Sequence, residues 1–150
     1  MRYRDSASFG KRQEYVVVAE LLRRGYDIYM TLVDDQGIDC IMRANESTYI
    51  DIQIKARSKT AKQWNFFPAM SFQPRKNYYF VFYVEKNNSF WVMPSIDVAR
   101  LSIQNKSGAN AGRYSLTVPK SEITPKALAF EQFKNDRGFD QFNTILEYGL

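Results

Sequence analysis

The sequence predicts an α/β fold, a mixed β-sheet flanked by helices, in a single domain spanning residues 1–150. Three observations point there. The 150 residues are 45% hydrophobic and 15% aromatic, enough to bury a core in one domain of ordinary size. Helical patterns begin and end the chain, with a run of β-branched and aromatic segments between them. The first turns between those segments are too short for crossover connections, so these strands form an antiparallel meander.

Residues 1–8 read as a polar arm. Ser8 then caps a helix from Phe9 to about Arg24, with Gly25 as its stop. Val17, Val18, Leu21 and Leu22 form its apolar stripe, and Glu20 lies on the solvated side. YDIYMTLV (26–33), IDCIMRA (38–44) and TYIDIQIKAR (48–57) are three strands, separated by the turns VDDQG and NES. SKTAKQW (58–64) is a basic loop. NFFPAMSF (65–72) carries Pro68, which argues against a central strand. KNYYFVFYVE (76–85) and SFWVM (89–93) are strands joined by a KNN turn, and their aromatics read as core and cross-strand pairs. SIDVARLS (95–102) is a short helix and GRYSLTV (112–118) a last strand. ITPKALAFEQFKN (123–135) is a helix capped by Thr124 with Pro125 in its first turn. In FDQFNTILEY (139–148), Phe139, Phe142, Ile145 and Leu146 share one helix face.

Composition narrows the chemistry. With no histidine, Ser/His/Asp and Cys/His nucleophilic sites and imidazole-bound zinc are excluded. Cys40 is the only cysteine, so no intrachain disulfide or multi-cysteine zinc site forms, and it reads as a small buried hydrophobe. What remains is carboxylates, amides, lysines and hydroxyls, or a hard metal ion held by oxygen. A net charge of +5 favours an anionic partner, nucleic acid first. MRYRDSASFGKRQE has no apolar signal region and no run of about 18 apolar residues occurs, so a cytoplasmic protein without membrane contact is expected.

The third strand carries the main chemical signal. Period-two alternation puts Ile50, Ile52, Ile54 and Ala56 on one face and Asp51, Gln53, Lys55 and Arg57 on the other. Such a polar row also suits a solvated strand. The second strand adds Asp39, a carboxylate among Ile38, Cys40 and Ile41 that needs donors or a cation to meet it. On a hairpin it would face Gln53 and Lys55. Glu14 projects near the middle of the helix stripe, where it needs a partner or a cleft edge, unless it is simply an acid favoured near a helix N-terminus. Two carboxylates, an amide and a lysine suit Mg²⁺ and a metal-activated water. Basic residues flank the site: Lys11 and Arg12 on the helix, with Arg2 and Arg4 before it, and Arg57, Lys59 and Lys62 on the loop, followed by Trp64.

The blocks GKRQEYVVVAELLRRGYDIY, GIDCIM and YIDIQIKAR together resemble the PD-(D/E)xK nuclease superfamily, with its restriction-endonuclease-like fold. The resemblance covers roughly the first 57 residues, and its first block is most similar to small archaeal Holliday-junction resolvases. It implies a metal-dependent endonuclease that hydrolyses DNA, as in repair, recombination or restriction, with RNA not excluded and a homodimer possible. It implies Glu14 as the helix acid and Asp39 as the metal-binding aspartate. Gln53 takes the D/E position, Lys55 is the lysine, and the Ile54 carbonyl is a further ligand for Mg²⁺ or Mn²⁺. The chain departs at two places: Ile38 stands where the motif has proline, and Gln53 where it has an acid. Asp51 is the nearby acid that would offset the lost charge. The alternative reading is a catalytically impaired nuclease-fold protein that binds nucleic acid or a protein partner without cleavage. A third is an unrelated α/β domain in which Glu14, Asp39 and Lys55 form a structural ion cluster.

Overall fold

The computed structural model describes residues 5–33, 36–121 and 123–150. Helix α1 (Asp5–Arg23) leads into strands β1 (Ile28–Met30), β2 (Cys40–Arg43) and β3 (Tyr49–Arg57). Strand β4 (Phe66–Met70) precedes β5 (Tyr78–Val84), which is joined to β6 (Ser89–Pro94) by a short 3-10 turn. Helix α2 (Ser95–Leu101), strands β7 (Ile103–Gln104) and β8 (Tyr114–Thr117), helix α3 (Pro125–Phe130) and helix α4 (Asn135–Tyr148) complete the chain.

The main sheet is mixed, in the order β1-β2-β3-β5-β6, and a second sheet has the order β4-β8-β7. The expected meander is β1-β2-β3, antiparallel throughout, whereas β3 and β5 run parallel. That crossover lifts the chain through β4 on the second layer. Pro68 is accommodated because β4 is an edge strand with a bulge between Phe67 and Met70.

Two cores lie on opposite faces of the main sheet. On one, Val17, Val18 and Leu21 of α1 and Phe139, Phe142 and Ile145 of α4 pack on Ile50, Ile52, Ile54 and their neighbours. On the other, Phe80, Phe82 and Trp91 meet Phe67 and Leu116 of the small sheet and Phe130 and Phe133. Strand β5 is buried along its whole length because both faces are covered, which explains its unbroken run of apolar and aromatic residues. The aromatics of β5 and β6 are core residues, as expected.

Several boundaries differ from expectation. Helix α1 begins at Asp5, so Ser8 lies inside it rather than capping it, and the polar arm is shorter than eight residues. Arg2 and Arg4, offered as a basic patch, fall outside the described residues. The helix ends as expected at Gly25, whose φ is +88°: its N–H donates to the Leu22 carbonyl, and the Tyr26 N–H donates to that of Leu21. Leu22 and Leu146 are 54% and 42% exposed, so each belongs to the outer surface rather than to its helix stripe. Glu20 is not merely solvated: it accepts from Arg23 at 2.5 Å and from Arg24 at 2.9 Å. Thr124 caps α3 as expected, its hydroxyl accepting from the Ala127 N–H at 3.1 Å. The last helix starts earlier than expected, at Asn135, whose side chain accepts from the Phe90 N–H. Of the VDDQG turn, Asp34 and Asp35 lie outside the described residues. Among the described residues no helix is long and apolar enough to cross a membrane.

Candidate active site

The site forms where β2 begins beside the middle of β3. Asp39 immediately precedes β2, and three of its groups are fixed there. Its N–H donates to the Ile52 carbonyl at 2.9 Å. Its carbonyl accepts from the Thr31 N–H at 3.4 Å and hydroxyl at 3.1 Å. Its carboxylate accepts from the Ile54 N–H at 2.7 Å. The side chain is 5% exposed, so this charge-assisted bond meets the desolvation that burial imposes.

The register Cys40↔Ile52 places position 39 opposite Gln53, one step further along. The Ile52 carbonyl points toward β2, so by strand alternation the Ile54 N–H and carbonyl point the same way. The β2–β3 ladder stops short of Ile54. Its carbonyl therefore projects past the end of the partner strand, on the edge that carries Asp39.

Gln53 and Lys55 lie on the opposite face of β3 from the isoleucines. The Gln53 amide orientation that matches every donor to an acceptor points Nε2 at the Tyr78 hydroxyl (2.6 Å) and the Gly37 carbonyl (3.2 Å). Oε1 then accepts from Lys55 Nζ at 3.2 Å. The Tyr78 hydroxyl donates to the Gly37 carbonyl at 2.8 Å. Gly37 has φ +69°, and a Cβ there would stand 3.0 Å from the Gln53 amide and 3.2 Å from the Tyr78 oxygen. The glycine therefore allows both a left-handed turn and this close approach.

Glu14 approaches from α1 and accepts from Lys11 Nζ at 2.7 Å. The partner its position demanded is thus three residues away on the same helix. The Lys11 ammonium is held above its ordinary pKa, first by that hydrogen bond and the Glu14 charge, and to a lesser extent by Asp39. Cys40 is fully buried as expected, and burial pushes its thiol up to about 12, with the Asp39 and Glu14 charges adding to the effect. Lys11 and Cys40 thus both respond to the Glu14 and Asp39 charges across the α1–β2 junction. Asp51, the nearby acid that could offset the missing charge, accepts from Arg75 at 2.5 Å and is paired there.

Among the described residues, no three His, Cys, Asp or Glu side chains gather at one point. A cation here would rest on one carboxylate, Asp39, with two neutral oxygens, the Ile54 carbonyl and Gln53 Oε1. That set fits Mg²⁺ or Mn²⁺, which take hard oxygen ligands and complete their shell with water and substrate phosphate. It is sparse in charge, so affinity is expected to be low.

No family model matches the chain by sequence, and no curated protein does. Among solved structures it is similar to I-Ssp6803I, a bacterial homing endonuclease. The superposition has a TM-score of 0.62 at 16% sequence identity and covers 97% of this chain and 95% of that one. The likeness establishes a shared fold: the α/β mixed sheet flanked by helices that the sequence predicts is one that a nuclease uses.

The flanking basic residues divide into two groups. Arg57 donates from Nε and Nη2 to the Gln63 carbonyl at 3.2 and 3.1 Å, closing the loop after β3, and Lys11 is tied to Glu14. Arg12, Lys59 and Lys62 are exposed. Sequence reasoning missed Tyr78, which reads as a core aromatic but places its hydroxyl on Gln53. It also missed Arg75, whose guanidinium lies 4.4 Å from the Tyr78 ring centre. Neither gives a local signal, because the parallel β3–β5 register alone brings them to the site.

Proposed function

We propose that the chain is a PD-(D/E)xK-type, Mg²⁺- or Mn²⁺-dependent endonuclease that hydrolyses DNA phosphodiester bonds. The observation that carries this reading is the arrangement at β3. The buried Asp39 carboxylate and the Ile54 carbonyl share one strand edge, and the neighbouring Gln53 amide oxygen meets Lys55. The shared fold with a homing endonuclease supports it.

Asp39, Gln53 Oε1 and the Ile54 carbonyl would hold the ion. Once bound, it offsets the negative charge that builds on the phosphoryl oxygens. Lys55 presents its ammonium from beside Gln53, where it orients the attacking water and balances phosphate charge. Glu14 exchanges its Lys11 partner for a second ordered water. The water oxygen bonds to phosphorus as its proton passes to solvent, in line with the departing oxygen, whose bond to phosphorus breaks and which takes up a proton from solvent. Lys59, Lys62 and Arg12 contact phosphates around the cleft, positioning the polymer without reading its sequence.

The test is nicking of supercoiled plasmid with Mg²⁺ or Mn²⁺, comparing the parent with Asp39→Asn and Lys55→Ala. Cleavage by the parent and a loss of at least roughly a hundredfold in each variant is the expected outcome, with circular dichroism showing both folded. Full cleavage by either variant removes the assignment.

A second reading is favoured by one observation, the amide at position 53 already satisfied by Tyr78 and Gly37. In it the same fold binds nucleic acid without cutting. Calorimetry separates the two: a chain that takes up neither ion, and retains DNA in chelator, fits the second.

A further inference from the structure

We infer that Tyr78 is a positioning residue: with the Gly37 carbonyl it clamps the Gln53 amide so that the amide oxygen, and not its nitrogen, faces the ion. The inference rests on the metal-dependent reading above, and it explains how an amide serves at a position where the motif has an acid.

An acid and an amide differ in symmetry. A carboxylate offers an oxygen whichever way it is turned, whereas an amide turned over offers a donor. A glutamine therefore ligates a cation dependably only where something fixes its orientation, as outer partners do for metal ligands generally. At position 53 the two ends of the amide meet partners of opposite kind. Nε2 faces the Tyr78 hydroxyl at 2.6 Å and the Gly37 carbonyl at 3.2 Å, and Oε1 faces Lys55 Nζ at 3.2 Å. A carbonyl only accepts and an ammonium only donates, so both oppose the turned-over amide. Oε1 has two lone pairs: Lys55 meets one, and the other is the one an ion uses.

The Tyr78 hydroxyl ties this arrangement together. It donates to the Gly37 carbonyl at 2.8 Å while accepting from Gln53, so it holds both the amide and the carbonyl that sets the amide's direction. Phe80, which pairs with Gln53 across the β3–β5 ladder, has no polar side-chain atom to give. Tyr78 pairs with Asp51 and reaches the amide from one strand repeat earlier.

Tyr78 is itself firmly seated. It is 2% exposed, and its ring stacks on Phe80 with centres 5.2 Å apart and 5° between the planes. Phe72 approaches edge-on at 6.4 Å, and the Arg75 guanidinium covers the ring at 4.4 Å. The Tyr78 N–H donates to the Arg75 carbonyl at 3.2 Å. The Ser95 hydroxyl donates to that same carbonyl at 2.9 Å and accepts from the Arg75 N–H at 3.0 Å. Ser95 is fully buried at the start of α2, so the turn that delivers Tyr78 is pinned to that helix.

The experiment follows the Gln53 side-chain amide by NMR in the metal-free full chain, and Mn²⁺ uptake by calorimetry. In the parent, the Gln53 amide protons should show cross-relaxation to the Tyr78 ring and exchange with water more slowly than those of exposed Gln73. Tyr78→Phe keeps the ring and removes the hydroxyl; it should erase that protection and weaken Mn²⁺ binding about tenfold. In the Gln53→Glu background the same substitution should change Mn²⁺ affinity about twofold or less, because a carboxylate needs no orienting. A merely structural tyrosine costs both backgrounds alike, and equal losses overturn the inference. So does an unprotected amide in the parent, a measurement that needs no variant and stands even if Tyr78→Phe fails to fold. A parent that takes up Mn²⁺ with an unprotected amide removes the clamp and leaves the metal site standing. A protected amide in a parent that takes up no Mn²⁺ removes the metal reading, and the purpose of the clamp with it.

Discussion

Gln53 occupies the position where one more negative charge would most change the chemistry. Its amide donates to the Gly37 carbonyl and the Tyr78 oxygen while accepting from Lys55. Gln53→Glu therefore has two effects of opposite sign. The added charge strengthens the oxygen set beside Asp39, and divalent-ion binding should tighten roughly tenfold by calorimetry. In metal-free protein the carboxylate faces the Gly37 carbonyl with no hydrogen to give, which should cost about 1–3 kcal/mol in chemical denaturation. Tighter ion binding without the apo penalty would show that the amide is not held as described. That Asp39 needs a donor was readable from sequence, because a carboxylate among Ile38, Cys40 and Ile41 is costly to bury unmet, and the Ile54 N–H meets it. The partners of Gln53 were not, since Tyr78 and Gly37 lie 25 and 16 positions away and no local pattern encodes a parallel register.

Helix α1 shows how far periodicity reaches. Its stripe reads correctly at Val17, Val18 and Leu21, but Leu22 is turned by a further 100° and faces outward. Leu21→Ala should cost about 2–5 kcal/mol, because the side chain is fully buried between α1 and the sheet. Leu22→Ala should stay within about 0.5 kcal/mol. Equal losses in urea titrations would contradict this orientation. Spacing also failed at Glu20, because its fate depends on side chains that fold back. The Glu20 carboxyl sits below its ordinary 4.5, first through the Arg23 hydrogen bond and, against some burial, through Arg24. Arg24 continues to Asp136 at 2.7 Å and lies 3.9 Å from the Phe139 ring centre, joining α1 to α4. Since the folded pKa is the lower one, this stabilisation is complete above about 4.5 and fades as pH falls through the folded value. Glu20→Gln should therefore lose about 1 kcal/mol at neutral pH and match the parent in stronger acid. A gap that persists in acid would point to packing instead of charge.

On the proposed reading, the molecule as a whole would tie its chemistry to its stability through Asp39. The sheet carries a core on each face, and Asp39 sits at the edge where α1, β2 and β3 meet, 5% exposed. The motif-bearing residues end near position 57, yet the likeness to I-Ssp6803I runs over 97% of the chain. The sequence pattern beyond that point gave elements but not their order, because β5 pairs back across β4 and β7 has only two residues. An ion that binds only the folded edge must stabilise the whole fold by mass action. At about a hundredfold excess over its dissociation constant, Mg²⁺ should add about 2.7 kcal/mol. For a chain of this size that raises Tm by roughly 5–10 °C. Asp39→Asn keeps the shape and can still accept from the Ile54 N–H, but it removes the only carboxylate of the set, so the Mg²⁺-dependent rise should vanish. An equal rise in parent and variant would place the ion elsewhere. The metal-dependent reading would then lose its centre, even though the fold stood unchanged.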